Sequence, residues 1–328
     1  MVHIKTAGMI LPFAAATMLS GAAMADDLSE YKELFEPLPA LAPIPSNNSM
    51  TEEKIELGKM LFFEPRISGS GVISCGTCHN PALGWSDRIP TAVGHDGQVG
   101  NRNTPTVLNS GFLASQFWDG REPDLEGQAL GPIEAEIEMN MDLEAAIKRL
   151  KEFEIYREHF ATAFPDDEEP IIAENIAFAI ASFERTLNTP NSPFDRYLRG
   201  DDGAMTAQQI EGMKLFVDSG CVACHNGPVL SDGNFHRFEL PGSKDEGRFI
   251  VTGDEADMYA FRTPTLRNVA VTYPYFNNGS VSNLRDAVQL MGQQMLGQDF
   301  NETELDELVA FMHSLTGEMP VVTIPALP

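Results

Sequence analysis

The sequence predicts a mainly α-helical protein built from two similar domains that arose by a diverged duplication. A Cys-x-x-Cys-His motif occurs twice, at 75–79 and at 221–225. An ordered series of matching residues accompanies both copies of the motif. Several stretches also have the apolar spacing of amphipathic helices, whereas the alternation typical of strands is scarce.

The two motifs have the spacing that attaches a c-type haem. Both thiols bond covalently to the porphyrin, and the adjacent histidine, His79 or His225, supplies an axial nitrogen to the iron. All four cysteines of the chain belong to these motifs: Cys75, Cys78, Cys221 and Cys224. A redox dithiol and a zinc site are the alternatives, but paired zinc motifs usually lie about 15–20 residues apart. We therefore expect two covalent haem c groups, each in a cytochrome c-like domain.

The first 25 residues have the pattern of a secretory signal peptide. Lys5 precedes an apolar run over 7–19, and Ala23-Met24-Ala25 offers a small-x-small cleavage site. A retained anchor is the alternative, but Pro12 and the many alanines argue against a spanning helix, which needs about 20 strongly apolar residues. Haem attachment outside the bacterial inner membrane supports export independently. We expect cleavage after Ala25, a periplasmic protein and no membrane-crossing segment.

The chain is strongly acidic, with 22 basic and 48 acidic residues and a formal net charge of −26. Removal of residues 1–25 takes away one lysine and no acidic residue, which leaves −27 for the mature chain. Such a surface repels nucleic acid and favours a basic protein partner. Solubility alone would also explain this charge.

The duplication is visible on both sides of the haem motifs. Thr51 and Thr206 each begin a predicted helix ahead of a motif, as a capping threonine followed by apolar residues at helical spacing. Behind the motifs, matching residues recur at a constant offset of 159: Thr104 and Thr263, Thr106 and Thr265, Phe117 and Phe276, Gly120 and Gly279, Leu125 and Leu284.

The turn-forming segment 189–193 predicts the boundary between the domains. Residues 26–188 would form the N-terminal haem domain, and residues 189–328 the C-terminal one. Apolar spacing predicts helices from Leu143 to Phe160 and from Ile171 to Leu187, with a solvated break at 165–170. A last helix is predicted over 302–314, capped by Asn301, and the proline-containing tail 319–328 is expected to be extended along a domain surface.

The sixth ligand of each iron decides between electron transfer and chemistry at the iron. His95 lies in a segment with glycines at 94, 97 and 100, whose backbone has access to alternative conformations. It could bind the first iron in one state and leave it in another, although an ordinary loop histidine has the same pattern. His236 also stays possible. Methionine raises the potential of a haem, and spacing does not choose among Met258, Met291 and Met295.

With these features together, the chain resembles the bacterial di-haem cytochrome c peroxidases over nearly all of its mature length. The most specific marks are the paired motifs, Gly94-His95, the segments 103–109 and 116–121, Gly131-Pro132, Glu138-Met139, Arg262 with the segment 264–268, and Met291-Gly292. The resemblance implies reduction of hydrogen peroxide to water with electrons from a small periplasmic redox protein. It also implies a homodimer.

The resemblance assigns the iron ligands. It makes His79 the proximal ligand of a low-potential, peroxidatic haem in the N-terminal domain and His95 its removable sixth ligand. His225 and Met291 would ligate a high-potential haem that receives electrons in the C-terminal domain.

The resemblance also assigns other site residues. Trp118 would lie between the haems and help to carry electrons. Gln128 and Glu138 would line the peroxide pocket, with Glu138 as general acid–base; without the resemblance, Glu138 is one surface charge in the acidic run 134–138. A calcium ion would be held by Asn103 and the backbone carbonyls of Thr272 and Pro274, because oxygen ligands suit this hard cation.

Two other functions stay open from the sequence. One is a non-enzymatic di-haem electron carrier. The other resembles the methylamine dehydrogenase maturation protein, which oxidises tryptophans of a partner protein and has tyrosine on its second haem, so Met291 favours the peroxidase. The mature charge favours a small basic cytochrome c or a cupredoxin as electron donor. Asn277 stands where many relatives have histidine, and it does not titrate near neutrality.

Overall fold

The computed structural model describes residues 23–240 and 242–328. Within these ranges the chain is mainly helical, with one small antiparallel sheet, as predicted. Residues 1–22 of the predicted signal peptide lie outside the described residues. In the described part, no helix has the length and apolar character needed to cross a membrane.

The helices up to residue 188 form what we call the first half, which contains the first haem motif. They are α1 (Ala23–Lys32), α2 (Glu52–Phe62), α3 (Cys75–Cys78), α4 (Leu125–Glu134), α5 (Leu143–Lys151), α6 (Glu154–Ala163) and α7 (Ala173–Glu184). The second half contains α8 (Pro193–Leu198), α9 (Ala207–Asp218), α10 (Phe249–Thr252), α11 (Leu284–Met291) and α12 (Glu302–Ser314), with strands β1 (Phe235–Arg237) and β2 (Ala260–Arg262).

The predicted helix caps are confirmed. The Thr51 hydroxyl accepts the backbone N–H of Lys54 at 3.2 Å and begins α2. Thr206 begins α9 in a capping box with Gln209, and Asn301 begins α12. Each side chain satisfies backbone donors that the first helical turn leaves free.

Both halves are organised around a close helix crossing. In the first half α2 packs on α7, and a Cβ on Gly58 would lie 1.8 Å from the carbonyl oxygen of Ala179. In the second half α9 packs on α12, and a Cβ on Gly212 would lie 1.9 Å from that of Glu307. A glycine is therefore required at the corresponding place of each crossing.

The internal repeat extends to the backbone conformation. Three residue pairs at the offset of 159 share a left-handed φ: Asn109 (62°) with Asn268 (63°), Phe117 (65°) with Phe276 (71°), and Gly120 (65°) with Gly279 (59°). The isolated bridge between Gln116 and Glu122 recurs between Tyr275 and Val281. Non-glycine residues rarely adopt this conformation, so the matching positions make the two halves structurally alike. Their origin by duplication stays a prediction.

The prediction of one helix from Leu143 to Phe160 is wrong, because the chain breaks between α5 and α6 at an extended Phe153. Leu150 and Tyr156 are both buried, at 1% and 0% exposure. On a continuous helix of 3.6 residues per turn they would point roughly 120° apart, and the break lets both enter one core. The helix predicted over 171–187 is confirmed as the shorter α7, and that over 302–314 as α12.

Two terminal segments pack against the core of the opposite half. Tyr31 and Phe35 join the second core. In the tail, which has neither helix nor strand, Val322 and Leu327 pack on the first core, and Arg66 donates to the carbonyl oxygen of Pro328 at 2.7 Å. The domain boundary at 188/189 stays a prediction. The two segments add contacts between the parts of the chain on either side of it.

Candidate active site between the haem motifs

A cavity of about 890 Å³ extends between the halves and is bordered by both motifs. The cysteines and histidine of each motif line it: Cys75, Cys78 and His79 on one side, Cys221, Cys224 and His225 on the other. The two predicted haem sites therefore share one internal space.

The first motif forms one helical turn, α3, which brings Cys75 and Cys78 to the same side. The Ser74 N–H donates to Thr77 Oγ1 at 2.9 Å and fixes the start of this turn. The second motif begins with a 3₁₀ turn over Cys221–Ala223. In both motifs the histidine N–H donates to the carbonyl of the first cysteine, at 2.8 Å for His79 and 3.0 Å for His225.

The motif histidines are oriented for metal binding. His79 Nδ1 lies 3.4 Å from the Trp85 carbonyl oxygen, and His225 Nδ1 lies 3.1 Å from that of Leu230. Both carbonyls belong to residues with left-handed φ, 59° at Trp85 and 50° at Leu230. An Nδ1–H donated to a carbonyl leaves Nε2 as the ligating atom. Burial lowers the pKa of both imidazoles and so favours their neutral, ligating form.

The cysteines suit thioether attachment better than thiolate chemistry. Burial raises the pKa of the Cys78 thiol to about 11 and also raises the pKa of Cys75, Cys221 and Cys224. A reactive dithiol or a zinc site needs thiolates, which a raised pKa disfavours. The residues present therefore fit two covalent haem c groups.

Of the three methionines considered for the second iron, Met291 and Met295 line the cavity, and Met258 does not. Met291 is the last residue of α11, and the π-turn Gly292–Leu296 brings Met295 to the same wall. His236 also borders the cavity, but its Nε2 lies 2.8 Å from an Asp232 carboxylate oxygen. The choice is thus reduced to two neighbouring thioethers.

Met291→His is expected to lower the midpoint potential of the second haem by roughly 0.1–0.3 V, within the range of about 0.8 V that axial ligands span. The reason is that imidazole stabilises ferric iron more than a thioether does. Spectroelectrochemical titration measures the change, and Met295→Leu is the matched control. A potential that moves with Met295→Leu and not with Met291→His would assign the ligand to Met295.

The structure places His95 outside the cavity, in the turn His95–Gly97. Its ring lies beside Gly69, where a Cβ would be 3.3 Å from His95 Cε1. Nε2 is 3.4 Å from the Asp96 carboxylate, whereas Nδ1 is buried without a hydrogen-bond partner among the described residues. A buried polar atom without a hydrogen-bond partner costs about 1–3 kcal/mol of stability, so other contacts of the ring must offset this cost.

Glu138 and Gln128, the predicted peroxide-pocket residues, both line the cavity. Gln128 projects from α4, and Glu138 follows this helix in the loop 135–142. Burial raises the pKa of Glu138, and the nearby Arg121 guanidinium partly opposes the rise. The Glu138 backbone carbonyl also accepts the N–H of His95 at 2.8 Å, so the proposed acid–base and the proposed gate are in direct contact.

Trp118 is fixed between the two halves. Its indole Nε1 donates to the Asn103 carbonyl at 2.9 Å, and its own carbonyl accepts the N–H of Arg262 at 2.9 Å. Asn103, Thr272 and Pro274, the predicted calcium ligands, also border the cavity. The Asn103 side chain donates to the carbonyl of Ile89 at 2.9 Å, and its amide oxygen remains the atom that would face a cation.

Sequence reasoning missed two groups. Glu184, at the end of α7, lines the cavity with one carboxylate oxygen unpartnered among the described residues, and burial raises its pKa to about 8. Arg102 joins Asp119 and Asp245 across the halves. No spacing rule signals the Arg102 group, because Arg102 and Asp245 are 143 positions apart.

Two haem motifs with oriented histidines around one cavity define a di-haem c-type cytochrome. The di-haem cytochrome c peroxidase family model matches residues 52–203, and the cytochrome c model matches residues 209–316. The cytochrome c551 peroxidase of Pseudomonas aeruginosa is 46% identical, over 93% of this chain and 91% of that protein. The chain belongs to the di-haem cytochrome c peroxidase family, which confirms the predictions of two haem c groups and of a peroxidase.

Other relatives show how widely this architecture is used. The methylamine utilization protein MauG of Methylorubrum extorquens is 40% identical, over 96% of this chain and 94% of that protein. A crystal structure of a MauG-like protein associated with microbial copper homeostasis superposes with a TM-score of 0.79 at 30% identity, covering 86% of this chain and 95% of that one.

Proposed function

We propose that this peroxidase reduces hydrogen peroxide to water in the periplasm, with electrons from a small basic cytochrome c or a cupredoxin. The observation that carries the proposal is that the Glu138 carboxyl and the Gln128 amide line the cavity that both haem motifs border. Glu138 is near enough to the first motif to raise the pKa of the Cys78 thiol. An acid and an amide at the first site suit peroxide chemistry, whereas a thioether from Met291 or Met295 on the second iron suits a high-potential electron store. A simple electron carrier needs no such acid, so the enzyme is favoured.

When bound, the haem groups supply two redox-active irons, the first for peroxide and the second for storage of one electron. Each peroxide takes up two electrons and two protons and yields two water molecules. Glu138 accepts a proton from one peroxide oxygen and returns it to the other oxygen as the O–O bond breaks. Gln128 orients the peroxide by hydrogen bonding. The raised pKa of Glu138, caused by burial, lets its carboxyl hold the proton nearer to neutral pH.

Trp118 is proposed to carry electrons from the second site to the first, because both ends of the residue are held at the interface between them. The amide oxygen of Asn103 and the carbonyls of Thr272 and Pro274 are proposed to hold calcium beside it. The periplasmic location rests on the pattern of residues 1–25, and the homodimer rests on the resemblance to the family.

The test uses mature protein purified from a host that attaches haem. Intact mass should show two haem additions, and added hydrogen peroxide should oxidise a reduced, lysine-rich cytochrome c. Turnover should fall steeply with salt, because the Debye length drops from about 10 Å at 0.1 M to about 3 Å at 1 M.

An acidic cytochrome c of similar potential is the matched control and should be a poor donor. A mass with one haem, or the absence of peroxide-dependent oxidation with every donor, would contradict the proposed function. Peroxide-dependent oxidation of a partner protein's tryptophans, without donor turnover, would instead support the protein-modifying alternative.

A further inference from the structure

His95 lies at the tip of a short hairpin whose second stem ends at Arg102. Val93 pairs with Val99 in an antiparallel bridge. The Gly100 N–H donates to the Ala92 carbonyl at 2.8 Å, and the Ala92 N–H donates to the Arg102 carbonyl at 3.2 Å. We call residues 92–102 the His95 hairpin. The position of Arg102 therefore sets how the base of this hairpin is held.

The Arg102 guanidinium is held by two buried carboxylates. Its Nε and Nη2 donate to the two carboxylate oxygens of Asp245, both at 2.8 Å, and its Nη1 donates to Asp119. The side chains of Asp119 and Asp245 are each 4% exposed. We call these three residues the Arg102 clamp. Because Asp245 belongs to the second half, the clamp attaches the base of the His95 hairpin to that half.

A second contact joins the same places. The Asn277 side chain donates to Asp245 Oδ2 at 3.1 Å, and the Asn277 carbonyl accepts the N–H of Asn103 at 2.7 Å. Asn277 is 3% exposed. Arg102 and its neighbour Asn103 are thus both held by the second half, through partners that contact each other.

The clamp is formed in a conformation in which His95 is outside the cavity. In this conformation the hairpin packs on the segment after α4. The His95 backbone N–H donates to the backbone carbonyl of Glu138, and Gln98 Nε2 donates to the backbone carbonyl of Glu136 at 3.2 Å. A Cβ on Gly94 would lie 2.0 Å from the Ile137 carbonyl oxygen, so the two segments are in close contact. These contacts hold the hairpin against the segment 136–138 in the conformation in which the clamp is formed.

We propose that Arg102 and Asp245 are positioning residues through which the second half holds the His95 hairpin away from the peroxide site. The proposal rests on the proposed role of the first haem site and of His95 as its removable ligand. A bidentate guanidinium–carboxylate pair fixes direction as well as distance. It stabilises one orientation of the hairpin stem, and the second half can shift the His95 equilibrium only by stabilising one position over the other.

The test is Asp245→Asn in the holoenzyme, which retains the volume of the side chain and removes its charge. Protein with one electron on the second haem is studied by electron paramagnetic resonance and absorption spectroscopy. The open state has a high-spin first haem, and the closed state, with His95 bound, has a low-spin one. We expect the ratio of open to closed protein to fall at least tenfold. Arg102→Lys keeps the positive charge but cannot form the bidentate pair with Asp245. It should therefore lower the ratio of open to closed protein by a smaller factor.

The matched control is Glu239→Gln, which removes a carboxylate from the exposed pair with Arg237 in the same half. It should leave the spectrum unchanged. The double variant His95→Gly with Asp245→Asn should be high-spin, since the ligand is gone. Thermal unfolding of each variant separates a shift in the hairpin from loss of the fold.

The outcomes are distinguishable. A high-spin first haem in both Asp245→Asn and Arg102→Lys, with a folded protein, would overturn the clamp while leaving the proposed function intact. A low-spin state that persists in the double variant would also overturn it, because the closing ligand would not be His95. Failure of unmodified protein to react with peroxide would instead contradict the proposed function.

Discussion

Glu138→Gln is expected to slow peroxide turnover by about 10²–10⁴-fold, the usual contribution of a positioned acid–base. The substitution keeps the size and hydrogen-bonding capacity of the side chain but removes its titratable proton. Steady-state kcat with a reduced cytochrome c measures the effect, and the affinity of the first haem for peroxide should change much less. A split between kcat and binding is what a group acting on the reacting oxygens produces.

The pH profile gives an independent measure of the role of Glu138. To accept a proton the carboxyl must be ionised, so activity should fall as the pH falls through its pKa. Burial raises that pKa above the ordinary value of 4.5, and Arg121 only partly opposes the rise. In Glu138→Gln this acidic limb should disappear. Glu136→Gln, at an exposed position two residues away, is the control. An unchanged kcat in Glu138→Gln would show that another group moves the proton.

His95→Gly is expected to abolish any requirement for reduction of the second haem before peroxide reacts. Fully oxidised protein should react sluggishly if His95 occupies the first iron, and half-reduced protein should react at once. In its position in the turn 95–97, His95 Nδ1 is buried without a hydrogen-bond partner among the described residues, which costs this position about 1–3 kcal/mol. Removal of the imidazole deletes the closed state whatever the charge on the second haem.

Stopped-flow mixing of oxidised and half-reduced protein with peroxide measures this effect as a lag. His313→Gln, at an exposed position on α12, is the control and should retain the lag. If His95→Gly still needs pre-reduction and its first-haem spectrum is unchanged, His95 is not the removable ligand. The proposed role of the Arg102 clamp would then be wrong as well.

The sequence was sufficient for features that depend on nearby residues. The two haem motifs at 75–79 and 221–225, the caps at Thr51, Thr206 and Asn301, and the helix over 302–314 all follow from spacing within a few turns of the chain. Residue types that match at an offset of 159 positions were visible in the sequence, and the same offset recurs among residues with left-handed φ. Local covalent geometry and local hydrogen bonds decide these features, so the residue order alone specifies them.

Tertiary structure alone decided what depends on residues far apart in the chain. The helix is interrupted at Phe153, and both Leu150 and Tyr156 are buried in one core. Met291 and Met295 line the cavity, whereas Met258 does not. The tertiary structure also joins Arg102 to Asp245 across 143 positions. No periodicity encodes such contacts, because burial and ion pairing depend on which surfaces the folded halves bring together.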